Sequence, residues 1–164
     1  MTRAPAHSPV PIPDATGGLG VGAAVSHPHT GERQPSMIRT AVSTDTAPAA
    51  LGPYSQAIVA GGFVFCSGTP GIDPATGWLP DGIQAQTEQA LRNLEAILTA
   101  AGASLSTLVK TTIFYADVED FPVINEVYAR HMPDPAPARS APANVALPRG
   151  LLISIDAIAV IAAP

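Results

Sequence analysis

Residues 150–161 read GLLISIDAIAVI. Ile153, Ile155, Ala157 and Ala159 recur every second residue, and Leu152, Ser154, Asp156 and Ile158 fall between them. A period of two places these sets on opposite faces of a β-strand. One face is wholly apolar, as expected of a strand packed on a core. The other carries a carboxylate, Asp156, in a run that otherwise belongs in the middle of a sheet. A buried carboxylate is costly unless it is paired or wet. Asp156 is therefore either a hydrogen-bond acceptor at an interface or a group that holds a water for attack or relays a proton.

The chain upstream supplies the rest of the sheet. Residues 37–44 (MIRTAVST) and 57–68 (AIVAGGFVFCSG) read as three strands, the last two joined by a hairpin turn at Gly61-Gly62. DPATGWLP, residues 73–80, is turn chemistry. A helix follows, with Asp81 placed to cap it and Ala90, Leu91, Leu94, Ile97, Leu98 and Ala101 along one face. Gly102 stands where a left-handed residue ends it. Residues 107–118 (TLVKTTIFYADV) form a β-branched and aromatic strand. Residues 119–132 predict a second helix, with Pro122 in its first turn and Phe121, Ile124 and Tyr128 on one side. RSAPANVALP, residues 139–148, predicts a short strand weakened by Pro142. The order β, β, β, α, β, α, β, β implies an α+β sandwich, with both helices on one face of a mixed sheet. No third helix covers the opposite face, so self-association is the economical solution.

Residues 1–36 differ in kind. They are dense in Pro, Gly, Ala and Ser and show neither hydrophobic period, so the domain is expected over 37–164, with 1–36 a disordered tail or an over-long start ahead of Met37. Pro9, Pro11 and Pro13 interrupt any signal-peptide core. His27 and His29 flank a proline with no further ligand near them, which is a poor metal site.

Composition narrows the function classes. The 164 residues are 46 % hydrophobic and 13 % charged, with a formal net charge of −5. That balance speaks against a nucleic-acid surface, which needs clustered Lys and Arg. No apolar run reaches the roughly 18 residues of a membrane span. The single cysteine, Cys66, excludes an intrachain disulfide, and the cytoplasm is the expected location. With His131 the only histidine after residue 36, Cys–His and Ser–His–Asp machinery is not expected, and Cys66 reads as core. No phosphate loop or metal-ligand spacing is present. Two further candidates remain. Tyr54, in LGPYSQAI (residues 51–58), is either a packing residue of a turn or a pocket wall with a hydroxyl. Arg139, one of eight Lys and Arg, is either a surface ion-pair partner or a two-pronged clamp for a carboxylate.

Taken together, APAALGPYSQAI, FCSGTPGIDPATG, the stretch from Gln89 to Met132, and PARSA…VALPRGLLISIDAIAV resemble the RidA (YjgF/YER/UK) family over about residues 40–162. The resemblance implies a chorismate-mutase-like fold and a homotrimer with pockets between subunits. It implies cofactor-free hydrolysis of reactive enamines and imines, such as 2-aminoacrylate, to 2-oxo acids and ammonia. By the same resemblance Arg139 binds the substrate carboxylate, and Tyr54 and Gly68 line the pocket. Asp156 stands where deaminating members carry a glutamate that positions water. Its side chain is one methylene shorter, which sets such a water roughly a bond length farther from the imine carbon. Ala141 replaces a common cysteine next to the substrate, and Thr69 replaces a glutamine. Some members are described as ribonucleases or translation inhibitors, for which this acidic chain is poorly suited. The alternative is a non-catalytic module of the same fold that binds small carboxylates or protein partners.

Overall fold

The computed structural model describes residues 38–161. The reading of 1–36 as a tail, with its two histidines, lies outside those residues. Among them six strands form one sheet: β1 (Thr40–Val42), β2 (Ala57–Ala60), β3 (Phe63–Pro70), β4 (Leu108–Tyr115), β5 (Ala138–Ser140) and β6 (Ile153–Val160). The α-helices of the described residues are α1 (Gly82–Ala100) and α2 (Phe121–His131). The spatial order is β1-β2-β3-β6-β4-β5. All neighbours are antiparallel except β4 and β5. The last strand thus inserts between β3 and β4, in keeping with its wholly apolar inner face. Ile153, Ile155 and Ala159 are fully buried, together with Val64 of β3, Ile113 of β4, Leu91, Leu94 and Leu98 of α1, and Ile124 of α2. This is the α+β sandwich expected, with both helices on one sheet face.

Local chemistry sets the element boundaries. Gly61 and Gly62 turn the β2–β3 hairpin with φ of 58° and 82°. Asp81 stands at the N-cap of α1 but accepts no capping hydrogen bond. Gln86 ties the first turn instead: its Nε2 donates to the Pro80 carbonyl, and its Oε1 accepts from the Leu152 N–H. Gly71 brings the sheet end against that turn; a Cβ there would lie 2.2 Å from the Gln86 carbonyl oxygen. Gly102 ends the helix at φ 78°. The strand expected over 139–148 is confined to Ala138–Ser140, because Pro142 cannot donate to a ladder. The first strand is likewise shorter than expected, three residues rather than eight.

The face opposite the helices is open. Phe63, Phe65 and Val160 remain 37–44 % exposed. By register Ile58 and Ile158 flank Phe65 on the same face. Further along, the face turns polar, with Ser154, Asp156, Thr112 and Ser140 aligned across β6, β4 and β5.

Candidate functional site

The register of β3 against β6 breaks between Cys66 and Thr69, so Ser67 and Gly68 form an irregularity beside Asp156. Gly68 leaves room there: a Cβ would sit 2.8 Å from the Ser154 hydroxyl, which would have to turn away. Across the other edge of β6, Asp156 faces Thr112. Its carboxylate is half-buried and makes no hydrogen bond or ion pair among the described residues. A carboxylate with open acceptor positions on a sheet face can hold water. Behind it, Cys66 is buried; burial, and secondarily the Asp156 charge, push its thiol up to about 12. Such a thiol is protonated and inert at neutral pH, in keeping with the reading of Cys66 as core.

Tyr54 and Gly68 share a cleft of about 200 Å³, walled by the loop carrying Pro48 and Leu51, by Thr69, and by the turn at Asp73. Arg149 also lines it. The loop is held by Gln56, whose Oε1 accepts from the Thr44 N–H at 2.7 Å while its Nε2 donates to the carbonyls of Thr44, Ala47 and Pro48. The Tyr54 hydroxyl accepts from the Leu51 N–H at 3.0 Å. Behind the wall formed by Pro70 and Ile72, Asn93 of α1 donates to both their carbonyls at 2.8 Å. Asp73 closes its own turn, accepting from the Ala75 N–H and the Thr76 hydroxyl, and these bonds hold its carboxyl below the ordinary range.

Arg139 and Ala141 lie elsewhere. Arg139 is on β5, at the opposite edge of the sheet, and its register partner is the core-facing Thr111. Its side chain turns toward α2, with Nη1 donating to Asn125 Oδ1 at 2.8 Å and the guanidinium over the rings of Phe121 and Tyr128. Ala141 borders a separate shallow pocket with Tyr115, Phe121 and Pro122. Gly68 therefore lies beside Asp156 and also lines the cleft with Tyr54, a cleft that Asp156 itself does not line, while Arg139, two strands from Asp156, turns toward the helices and Ala141 follows it. Among the described residues no cluster of three or more His, Cys, Asp and Glu could hold a metal, and no helix is long and apolar enough to cross a membrane. The tethers formed by Asn93 and Asn125, and the presence of Arg149 at the cleft, were not apparent from sequence. Only the placement of Asn125 four residues after Phe121 and three before Tyr128 hinted at a shared helix face.

With this geometry in hand, comparison with known proteins is specific. The family profile described as endoribonuclease L-PSP matches residues 44–161. The Arabidopsis thaliana protein named Reactive Intermediate Deaminase A, chloroplastic, is 50 % identical over 125 residues, 76 % of this chain and 67 % of its own. A Mus musculus 2-iminobutanoate/2-iminopropanoate deaminase is 47 % identical over 126 residues, 76 % of this chain and 93 % of its own. Among solved structures, RidA from an Antarctic Psychrobacter species superposes with a TM-score of 0.72 at 44 % identity, covering 74 % of this chain and 99 % of the other.

Proposed function

This chain belongs to the RidA family, whose profile carries the endoribonuclease L-PSP description, and from that premise we propose that it hydrolyses 2-imino acids, and the enamines that tautomerise to them, to 2-oxo acids and ammonia. The observation that carries the reading is the 47 % identity, over nearly the whole of the other chain, to a protein named for 2-iminobutanoate and 2-iminopropanoate deamination. The geometry is compatible with it. A water held by Asp156 adds through oxygen to the C=N carbon while one of its protons passes to nitrogen by way of the carboxylate, giving a carbinolamine. The proton of the new hydroxyl then follows to nitrogen as the C=O bond forms and the C–N bond breaks, releasing ammonia and the 2-oxo acid. No electrons are exchanged, so the step needs no cofactor. Gly68 leaves room beside the carboxylate for the substrate, Tyr54 walls the cleft, and Ala141 leaves space near the carboxylate end.

Arg139 is the clamp for the substrate carboxylate in this reading, supplied by a second copy. Its side chain, turned from β5 toward α2 while Asp156 faces away from the helices, supports that division, and so does the open face bearing Phe63, Phe65 and Val160, which copies of the chain would cover. A closed ring of three is the assembly we propose, with the domain at 37–164, the cytoplasm as its compartment, and neither nucleic acid nor membrane as a partner. Light scattering at micromolar concentration checks the ring; a stable monomer defeats the shared site.

The test generates 2-iminobutanoate in situ from a pyridoxal-phosphate lyase or an amino-acid oxidase and follows imine decay and ammonia release. Wild type should accelerate both. Asp156→Asn should lower the rate by about 100-fold or more, the scale of a lost acid–base group, while binding of a 2-oxo acid persists. Asp156→Glu should raise it. The binding-module alternative expects no hydrolysis above the spontaneous rate. Equal turnover in wild type and Asp156→Asn removes Asp156 from the chemistry.

A further inference from the structure

An arginine that must meet a small carboxylate in two-pronged fashion has a problem of its own. Its side chain is long, and an exposed guanidinium samples many orientations, each immobilisation costing affinity. Arg139 is exposed on a three-residue edge strand, yet its guanidinium is engaged on three sides. Phe121, Asn125 and Tyr128 lie at i, i+4 and i+7 of α2 and so share one helix face. The guanidinium carbon stands 5.5 Å from the Phe121 ring centre and 5.0 Å from that of Tyr128, within cation–π range. The Tyr128 ring is itself fixed, because its hydroxyl shares a buried 2.7 Å hydrogen bond with Thr111, the register partner of Arg139. Asn125 Oδ1 accepts from Nη1 at 2.8 Å. Among the described residues Arg139 makes no ion pair. The edge formed by Nε and Nη2 is thus left for a ligand, and that edge matches the spacing of two carboxylate oxygens.

We infer that Asn125 is a positioning residue for carboxylate recognition: with Phe121 and Tyr128 it presets the Arg139 guanidinium with its Nε/Nη2 edge outward. This rests on the role proposed above for Arg139. An amide serves better than a carboxylate at this point. It accepts the Nη1 hydrogen bond without neutralising the charge that attracts the substrate.

The experiment uses the full chain in its native assembly. Three readouts are compared in wild type, Asn125→Ala and Asn125→Asp: rotation of the Arg139 guanidinium about Nε–Cζ by ¹⁵N NMR, assigned by signal loss in Arg139→Lys; the Kd for pyruvate; and kcat and KM for imine hydrolysis. Asn125 is exposed, so its replacement spares the core. In wild type, rotation should be slow and pyruvate should bind. Asn125→Ala should free the rotation and raise both Kd and KM about tenfold, with kcat changed less than about twofold, as expected when one charge-assisted hydrogen bond acts on binding alone. Asn125→Asp should keep the rotation slow and still weaken pyruvate binding, because a negative charge then sits beside the clamp. Free rotation in wild type, slow rotation with no pyruvate binding, or an unchanged Kd in Asn125→Ala each overturns the inference. Imine hydrolysis absent from wild type, with the NMR and pyruvate results as expected, overturns the deaminase reading and leaves the positioning role standing.

Discussion

Asn93 offers the sharpest test of how the cleft wall is held. It is 1 % exposed, on the inner side of α1, and its Nδ2 donates to the carbonyls of Pro70 and Ile72 while its Oδ1 accepts from Gln89 Nε2. These bonds tie the end of β3 and the following turn to the helix. Asn93→Leu keeps most of the volume and removes both donors. Two partly buried carbonyls then lose their partners, at about 1 to 2 kcal/mol each, since water reaches them only in part. The sum is about 2 to 4 kcal/mol, which for a domain of this size lowers Tm by roughly 10 °C. Differential scanning calorimetry at fixed protein concentration measures it. Asn93→Asp should be worse at pH 7, because an ionised oxygen would face two carbonyl oxygens. Burial and those dipoles raise the folded-state pKa of the introduced carboxyl. Relative to wild type at the same pH, that variant therefore recovers stability below the unfolded value of about 4 and loses it as pH rises. An Asn93→Leu protein within about 0.5 kcal/mol of wild type would refute the reasoning, since the carbonyls would then find partners without Asn93.

Two other outcomes follow from the described contacts. With its thiol pushed up to about 12 by burial and by Asp156, Cys66 should resist a disulfide reagent at pH 8 in the folded protein and react fully in denaturant; rapid labelling of folded protein would show that the β3 backbone opens. Glu88 of α1 meets Arg130 at 2.6 Å and His131 at 2.8 Å at the end of α2, and these partners hold its carboxyl below the ordinary range. A depressed folded-state pKa gives stability that is present above the unfolded value of about 4.3 and lost as pH falls through the folded one. Glu88→Gln should therefore flatten the acid limb of the stability curve, while costing no more than about 1 kcal/mol at pH 7 because the partners are partly exposed.

What the sequence disclosed and what it withheld have separate physical causes. The inner face of β6 was legible because a period of two in Ile153, Ile155, Ala157 and Ala159 has one solution, and the structure buries all four. The hairpin at Gly61-Gly62 and the helix stop at Gly102 were legible because positive φ selects glycine. Strand order was not, since insertion of β6 between β3 and β4 depends on long-range pairing that leaves no local mark. Asp81 was assigned a cap from residue type alone, whereas the first turn of α1 is tied by Gln86 to Pro80 and to Leu152, the latter 66 residues away. For the site, composition singled out Tyr54, Arg139 and Asp156 as unusual in their surroundings. It could not place them, because the strands that carry Arg139 and Asp156 and the loop that carries Tyr54 take their positions from long-range pairing. Asn93 and Asn125 escaped notice for a related reason: a helical asparagine reveals its purpose only through what lies opposite.

The separation of Arg139 from Asp156 within one chain leads to a decisive experiment on the assembly. Asp156 lies with Gly68 on β6 and β3, and Arg139 lies on β5 at the sheet edge, turned toward α2. If each site takes its clamp from one subunit and its water-holding carboxylate from the next, neither Arg139→Ala nor Asp156→Asn is active by itself. Mixing them changes this. A site is intact when the subunit giving arginine carries only the Asp156 change and its neighbour carries only the Arg139 change. In a closed ring assembled at random from equal parts, each condition holds half the time, so about a quarter of all sites are whole. Co-refolding the two variants from denaturant should restore about a quarter of wild-type imine hydrolysis, against near-zero rates for each variant refolded separately. A site completed within one chain predicts no recovery at any ratio, because every chain then lacks one of the two groups. Recovery should vary with the mixing ratio as the product of the two fractions and peak at equality, a dependence that residual activity of either variant cannot imitate.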